Sequence, residues 1–186
     1  MVSDTVEKIF KIDDKIGAAV SGLIADSKYI VDFARTQAQT HWFNYNENIP
    51  VLSLAEAVGD LSLRFGEDGN EDSVVMSRPF GVALLLGGSD DKGFSLIYAD
   101  PSGTYAKYAA KAIGSGAEVA QTTLEEKWHQ NLNIQEGIIL GLSIMKNIME
   151  DKLTQDTVHV CSIDKSGYKL LSSPEIGNVL QLISSN

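Results

Sequence analysis

In the stretch Met76-Ser-Arg-Pro-Phe-Gly-Val-Ala-Leu-Leu-Leu-Gly-Gly88, a run of apolar residues is bounded on both sides by glycine, which is the pattern of a buried strand. Asp100-Pro-Ser-Gly-Thr-Tyr105 follows a second strand with a tight Asp-Pro turn. In Ala112-Ile-Gly-Ser-Gly116, a third strand breaks through Gly-Ser-Gly into a helix. Together the three stretches predict a mixed sheet with helices covering it.

The composition limits what the chain can be. Its 186 residues are 44% hydrophobic, which is enough for one core, so we expect a single domain over residues 1–186. The formal net charge is −10 and the basic residues form no cluster, which argues against a nucleic-acid partner. Cys161 is the only cysteine, so no internal disulfide can form. The longest apolar run, residues 82–86, is too short to span a membrane, and we expect a soluble intracellular protein.

Before residue 66 the pattern predicts a hairpin and two helices. The hairpin strands cover residues 8–12 and 16–21, and apolar residues at helical spacing predict a first helix over residues 24–43. Ser53 and Glu56 have the spacing of a capping box at the start of the second helix, and Gly66 is its expected end. The apolar face of that helix comprises Leu54, Val58, Leu61 and Phe65.

After an acidic loop over residues 67–73, the remaining elements follow closely. Strands are expected at residues 82–86, 94–98, 105–112, 157–163 and 169–171. Ser115 with Glu118, and Asn133 with Glu136, have capping-box spacing and predict two neighbouring helices. A last helix begins at Ser173-Pro174-Glu175.

The residues that could carry chemistry all have a simpler structural interpretation. The Gly114-Ser115-Gly116 turn could bind phosphate at a helix start, but it lacks the rest of a P-loop or dinucleotide motif. Cys161 and His159 lie two residues apart with no third partner, so Cys161 is expected to be a core residue. Acidic pairs such as Asp13-Asp14, Asp90-Asp91 and Glu125-Glu126 are typical of solvated turns and helices. We expect no catalytic residue, no metal and no cofactor.

Seven blocks of this chain make it similar to a known family, the 20S proteasome alpha subunits. They are Ser3-Asp-Thr-Val-Glu-Lys-Ile9, Ser21-Gly-Leu-Ile-Ala-Asp26, His41-Trp-Phe-Asn-Tyr-Asn-Glu47, Met76-Ser-Arg-Pro-Phe-Gly-Val-Ala-Leu-Leu85, Asp100-Pro-Ser-Gly-Thr104, Ala112-Ile-Gly-Ser-Gly-Ala-Glu118 and Met149-Glu-Asp-Lys-Leu153. The His-Trp-Phe, Met-Ser-Arg-Pro-Phe-Gly and Met-Glu-Asp-Lys-Leu sequences resemble the type-5 branch in particular.

The resemblance implies an α+β fold of four layers, alpha-beta-beta-alpha, of the N-terminal-nucleophile hydrolase class. Family members begin with a further helix and two strands, and nothing before Ser3 corresponds to them. We therefore expect a proteasome alpha-type domain that is incomplete at its N-terminus. The missing strands would leave apolar faces and a sheet edge uncovered, which predicts weak solubility or abnormal association.

The resemblance also implies a function. Alpha subunits form a seven-membered ring that stacks on the catalytic beta ring and receives activators, in the cytoplasm and nucleus, during ubiquitin-dependent protein degradation. We expect a non-catalytic subunit, since peptidases of this class need a processed N-terminal threonine and Gly103-Thr104 lies in mid-chain. An active threonine-type peptidase subunit and a free-standing binding module are the alternatives.

Three residues match the family's activator pocket. Lys8 corresponds to the lysine that meets the C-terminal carboxylate of an activator tail ending in a hydrophobic residue, tyrosine and any residue. Gly22 and Leu23 correspond to residues that line the same pocket between subunits. Without the resemblance, Lys8 at the start of an apolar strand would be interpreted as a solvent-facing residue that protects a sheet edge.

Overall fold

The computed structural model describes residues 7–64, 78–149 and 153–184. Its strands are β1 (Ile9–Asp13), β2 (Ile16–Gly22), β3 (Val82–Asp90), β4 (Gly93–Ala99), β5 (Tyr105–Tyr108), β6 (Cys161–Asp164) and β7 (Gly167–Leu170). Its helices are α1 (Ile24–Tyr45), α2 (Val51–Leu63), α3 (Ala117–Lys127), α4 (Ile134–Met149) and α5 (Ser173–Ser184).

Five strands form one sheet in the order in which they occur along the chain, β1-β2-β3-β4-β5. Every neighbouring pair in it is antiparallel, and the central pair is in register from Ile16 opposite Gly88 to Gly22 opposite Val82. The expected hairpin at the start of the chain is confirmed. The expectation of a mixed sheet was wrong, because short turns join β1 to β2, β3 to β4 and β4 to β5, and short turns make antiparallel neighbours.

One face of this sheet is covered by α1 and α2. Alternate residues of β2, β3 and β4 point toward the helices, and the same face of the sheet is buried along all three strands. The strand residues in this core are Ile12, Ile16, Ala18, Val20, Val82, Leu84, Leu86, Ile97 and Ala99. The helices supply Ile30, Val31, Ala34, Ala38, Val51, Leu54, Ala55, Val58 and Leu61. Burial of this apolar surface is the main force that holds the two layers together.

The other face of the sheet carries the β6–β7 hairpin, which α4 and α5 cover in turn. Ile163 and Tyr168 of the hairpin contact the sheet at Gly17 and Gly87. A second apolar cluster joins α4 and α5 to the segments that flank the hairpin, around Leu142, Ile176 and Val179, with Val158 from the segment before β6. The order of layers is helix, sheet, sheet, helix, so the four-layer α+β arrangement is confirmed.

Two of the three predicted capping boxes were wrong. Helix α2 begins at Val51, ahead of Ser53, and its first amide donates to Oδ2 of Asp90 at 3.3 Å instead. Helix α3 begins after Gly116 with no side-chain cap, so Ser115 does not serve as one. At α2, Asp90 from the end of β3 accepts the hydrogen bond that a local cap would have accepted. Local spacing in the sequence does not reveal a partner so far along the chain.

The third capping box is confirmed, and the glutamate half of a fourth was missed. The Asn133 amide donates to Glu136 Oε2 at 2.8 Å, and the Glu136 amide donates to Asn133 Oδ1 at 3.0 Å. At the start of α5, the Ser172 amide and hydroxyl both donate to Glu175 Oε2 at 2.8 Å. The sequence Ser172-x-x-Glu175 carried that signal.

Several boundaries also differ from the sequence prediction. Strand β5 ends at Tyr108 and not at residue 112, because the chain turns so that the Lys111 ammonium lies 4.9 Å from the centre of the Tyr108 ring. Strand β6 begins at Cys161, since a turn closed by the Thr157 amide and the Thr154 carbonyl precedes it. Phe65, Gly66 and the loop at residues 67–73 lie outside the described residues. No helix within the described ranges is long and apolar enough to cross a membrane.

Candidate functional site

The predicted pocket residues lie at one end of the β1–β2 hairpin. Lys8 immediately precedes β1, and its carbonyl accepts a hydrogen bond from the Val20 amide at 2.9 Å. Gly22 ends β2, two residues beyond Val20, and Leu23 follows it. Because β1 and β2 run antiparallel, the start of β1 and the end of β2 lie at the same end of the hairpin. The structure therefore brings the three residues to one end of the sheet.

Gly22 has a conformation and surroundings that only glycine tolerates. Its φ is +133°, and a Cβ on this residue would lie 2.0 Å from the Gly81 carbonyl oxygen. Leu23 donates its amide to that same oxygen at 2.9 Å. We call Gly22 and Leu23 together the shoulder. The backbone of the shoulder is in direct contact with the backbone of residue 81.

The Leu23 side chain faces solvent at the start of α1. It is 53% exposed, which is high for a leucine beside a buried core. Its carbonyl accepts both the amide and the hydroxyl of Ser27 at 3.0 Å, so the backbone of Leu23 is held on both sides. An exposed apolar side chain on a fixed backbone is suited to contact a partner.

Asp26, one turn into α1, ties the shoulder to the segment at residues 78–81. Its carboxylate accepts both guanidinium nitrogens of Arg78, at 2.8 and 2.9 Å, and the Gly81 amide at 2.9 Å. The Arg78 hydrogen bond, followed by that of Gly81, lowers the pKa of Asp26 below its usual range. The same hydrogen bond raises the pKa of Arg78. Both shifts favour the charged forms of the pair.

Sequence reasoning did not assign Asp26 or Arg78 to the site. Both residues stand inside blocks that carried the family resemblance, Ser21-Gly-Leu-Ile-Ala-Asp26 and the Arg-Pro-Phe-Gly sequence. They are 52 residues apart, so nothing in the sequence pairs them. The available signal was only that each of the two charged residues stood in a block that also contains a glycine, Gly22 in one and Gly81 in the other.

A shallow groove of about 450 Å³ opens beside Lys8. Its other walls are Ile9, Met145, Met149, Thr157, Val158 and His159. An ammonium group next to apolar, adaptable methionine side chains can hold a carboxylate and a hydrophobic side chain together. The shoulder does not line this groove, so Lys8 and the shoulder are two separate contact points at the same end of the hairpin.

Cys161 and His159 do not form a catalytic pair. Cys161 is half-buried in β6, and burial raises the pKa of its thiol, which disfavours the nucleophilic thiolate. His159 is exposed and precedes the strand. Cys161 was expected to be a core residue, but it is only partly buried and belongs to neither apolar cluster.

The Gly114-Ser115-Gly116 turn packs against its neighbours. A Cβ on Gly116 would lie 2.8 Å from Ile148 of α4, and the Ala117 amide already donates to the Gly114 carbonyl at 3.1 Å. Gly114 has a φ of +102°. Gly116 therefore allows α3 to pack on α4, whereas Gly114 supplies the positive φ of the turn, and one helix-start amide is already occupied.

The acidic pairs have structural partners. Asp14 accepts from the Lys11 ammonium at 2.7 Å, and Asp13 Oδ2 accepts from the Asn48 side-chain amide at 2.9 Å. Asp90 serves the start of α2. Within the described ranges, no three histidine, cysteine or acidic side chains come together as metal ligands would.

Gly103-Thr104 lies in the turn that joins β4 to β5. The Thr104 carbonyl accepts from the Asp100 amide at 3.0 Å, and the Gly103 amide donates to the Asp100 carbonyl at 3.1 Å. Gly103 has a φ of +83°, and a Cβ there would lie 2.8 Å from Leu63. The turn is thus closed on itself and packed against α2.

Comparison with known proteins gives one consistent result. Residues 1–163 match the family model described as proteasome subunit. The chain is 45% identical over 181 residues to proteasome subunit alpha type-5 of Dictyostelium discoideum, covering 96% of this chain and 75% of that protein. It is 41% identical over 181 residues to the probable proteasome subunit alpha type-5 of Schizosaccharomyces pombe, covering 97% and 73%. To the alpha type-5 subunit of Trypanosoma brucei brucei it is 46% identical over 166 residues, covering 89% and 67%.

Proposed function

This chain belongs to the proteasome subunit family, in which its relatives are alpha type-5 subunits, and from that premise we propose that it builds an alpha ring without cleaving peptide bonds itself. Its partners would be neighbouring alpha subunits in a seven-membered ring and the subunits of the adjoining beta ring. The observation that carries the proposal is an identity of 41–46% to alpha type-5 subunits, which extends over 89–97% of the chain.

The position of Gly103-Thr104 supports a non-catalytic role. A threonine peptidase of this class uses the free amine of a processed N-terminal threonine as its base. Processing before Thr104 would separate β5 and helices α3–α5 from the four strands that precede them, and β5 pairs with β4 in the main sheet. The cut would therefore destroy the fold that the nucleophile requires.

We further propose that Lys8 and the shoulder receive the C-terminal tail of an activator. Lys8 is exposed and stands beside the groove with methionine walls, so it can meet a terminal carboxylate while the groove takes an apolar side chain. A neighbouring subunit would supply the opposite wall. A charge-assisted hydrogen bond of this kind contributes about 1.5–3 kcal/mol, and several tails docking at once would multiply the effect through avidity.

Purification through a tag on this chain tests ring membership. We expect the other alpha and beta subunits to copurify, the peptidase activity to belong to the particle, and the intact mass of this chain to show no cut before Thr104. Isolation of the chain alone would support a free-standing binding module. A mass that begins at Thr104 would support the peptidase alternative. Imaging of the tagged chain tests its proposed location in cytoplasm and nucleus.

Substitution of Lys8 tests the docking role. In tagged particles, Lys8→Ala should weaken binding of a synthetic tail peptide with a free carboxylate by about tenfold or more, with ring assembly unchanged. Lys165→Ala, which removes an exposed lysine from the β6–β7 turn, is the matched control and should bind normally. An amidated peptide should bind weakly to all variants. Equal affinity of the Lys8→Ala and wild-type particles would remove Lys8 from the pocket.

A further inference from the structure

We propose that Asp26 and Arg78 are positioning residues for the activator-tail pocket, because their ion pair holds the backbone on which the shoulder is seated. The inference rests on the proposed docking function of the shoulder. Neither residue is expected to touch the tail. They would act through Gly81, by fixing where Gly22 and Leu23 stand.

The contacts form a short chain from Arg78 to the shoulder. Arg78 Nη1 and the Gly81 amide both donate to Oδ2 of Asp26, at 2.8 and 2.9 Å. The Gly81 carbonyl in turn accepts the Leu23 amide at 2.9 Å. Residue 81 is therefore bonded to α1 on both of its polar groups, once through the Asp26 side chain and once through the Leu23 backbone.

The closeness of Gly22 to Gly81 makes the shoulder sensitive to this arrangement. A Cβ on Gly22 would lie 2.0 Å from the Gly81 carbonyl oxygen, so the two backbones are as near as glycine permits. A Cβ on Gly81 would lie 2.8 Å from Cδ1 of Leu23, so that side chain also rests on residue 81. A shift of residue 81 must move both residues of the shoulder.

The two side chains of the ion pair differ in their exposure to solvent. The Asp26 side chain is 11% exposed and that of Arg78 is 58% exposed. Phe80 provides a second attachment of the segment, since it is buried and its ring lies 5.8 Å from that of Tyr29 on α1. Loss of the Arg78 guanidinium should therefore leave residues 78–81 attached through Phe80 and through the two Gly81 hydrogen bonds, while removing the cation that fixes the Asp26 carboxylate at the Gly81 amide. Arg78 would therefore control the position of the Gly81 backbone and not the stability of the fold.

A double-mutant cycle in tagged particles tests this route. Arg78→Ala should weaken binding of the free-carboxylate tail peptide about fivefold. If Arg78 acts through the shoulder, it should have little further effect in a Leu23→Ala background, because the side chain that it positions is gone. In a Lys8→Ala background its effect should remain about fivefold, because Lys8 contributes separately. A purely structural role would give the same loss in both backgrounds.

Three further variants sharpen the test. Arg78→Lys keeps the charge but not the two-pronged geometry, so affinity between those of wild type and Arg78→Ala is expected. Asp26→Asn keeps an acceptor for the Gly81 amide, so it should weaken binding less than Asp26→Ala. Lys169→Ala breaks the exposed pair with Glu175, at 2.6 Å, and is the matched control that should bind normally.

The outcomes separate this inference from the docking proposal. If Lys8→Ala and Leu23→Ala weaken binding while Arg78→Ala does not, the positioning role is wrong and the pocket stands. If Arg78→Ala lowers the unfolding midpoint of the subunit and weakens binding equally in both backgrounds, the role is structural and the inference is again overturned. If Lys8→Ala and Leu23→Ala leave binding unchanged, the docking proposal fails and takes this inference with it.

Discussion

Gly17 and Gly87 lie directly opposite each other on β2 and β3, and together they make the seat for the β6–β7 hairpin. The Tyr168 ring occupies the space above Gly17, where a Cβ would lie 2.7 Å from ring carbon Cε2. Ile163 stands beside Gly87, where a Cβ would lie 3.6 Å from its Cδ1. Two residues without side chains thus let the outer sheet approach the inner one.

The two glycines should respond differently to alanine. Gly17→Ala forces the half-buried Tyr168 ring to move, and we expect it to lower the free energy of unfolding by about 1–3 kcal/mol. Gly87→Ala adds a methyl at ordinary contact distance from Ile163, so stability should be unchanged or rise by up to about 1 kcal/mol. Chemical denaturation of the two variants measures the difference. Equal effects would mean that the hairpin does not rest on this pair.

Tyr168 should make the folded state sensitive to alkali. Burial raises the pKa of this phenol to about 12, with smaller contributions from Cys161 and Glu7. In the unfolded chain it ionises near pH 10. Between these values the unfolded chain releases a proton that the folded chain retains, so stability is full below pH 10 and falls as the pH rises toward 12.

Comparison with Tyr168→Phe isolates this contribution. We expect the stability of wild type relative to the phenylalanine variant to be constant below pH 9.5 and to decline above pH 10, as measured by urea denaturation at each pH. Ultraviolet titration should show that the variant has one fewer tyrosine that ionises well above pH 10. A stability difference that does not change with pH would show that the phenol is not protected.

Glu175 should give the protein a matching sensitivity to acid. Its hydrogen bonds with Lys169 and then with Ser172 lower the pKa of the carboxyl from 4.5 to about 2. A lowered pKa means that its stabilising effect is complete above pH 4.5 and is lost as the pH falls toward 2. Glu175→Gln keeps the shape and an acceptor but not the charge. The stability advantage of wild type over this variant should therefore shrink between pH 4.5 and pH 2, and an advantage that persists at pH 2 would contradict the assignment.

The capping pair at α4 predicts a contrast with α3. Asn133→Ala removes an acceptor for the Glu136 amide and should lower the free energy of unfolding by about 1 kcal/mol. Ser115→Ala changes a residue with the same capping-box spacing that makes no cap at α3, so its effect should stay within about 0.5 kcal/mol. Thermal unfolding of the two variants is the measurement, and a similar loss from both would reject the difference between the two helix starts.

The features that the sequence predicted correctly depend on contacts between residues that are close together along the chain. The hairpin of β1 and β2 and the cap formed by Asn133 and Glu136 involve residues a few positions apart, so spacing and residue type were sufficient. The continuous apolar run at residues 82–86 predicted a strand covered on both faces, and the structure places helices on one face of β3 and a hairpin on the other.

What could not be predicted depends on residues that folding alone brings together. The first amide of α2 donates to Asp90, which lies 39 residues beyond Val51. Ser53 has the spacing of a cap residue but does not act as one. The fixed position of the shoulder depends on Arg78, 52 residues from Asp26. Such pairs leave no periodic pattern. Family resemblance suggested Lys8, Gly22 and Leu23 as pocket residues, whereas the structure was needed to show what holds Gly22 and Leu23 in place.

The closest backbone approach in the candidate site leads to a last prediction, which compares Gly22→Ala with Gly81→Ala. On Gly22 the new Cβ would lie 2.0 Å from a backbone oxygen at a φ of +133°, and a backbone oxygen cannot move aside cheaply. We expect a loss of about 2–4 kcal/mol in the free energy of unfolding and poor incorporation into particles.

On Gly81 the new Cβ would lie 2.8 Å from Cδ1 and 3.1 Å from Cγ of the flexible Leu23 side chain, with Asp26 Oδ2 at the ordinary contact distance of 3.8 Å. The cost should stay within about 1 kcal/mol, because Leu23 is half-exposed and can change rotamer. Its displacement should still weaken binding of the tail peptide, because Leu23 belongs to the shoulder. Unfolding midpoints and peptide affinities of the two variants separate the effects. Normal peptide binding by a stable Gly81→Ala particle would show that the position of the Leu23 side chain does not matter to the tail.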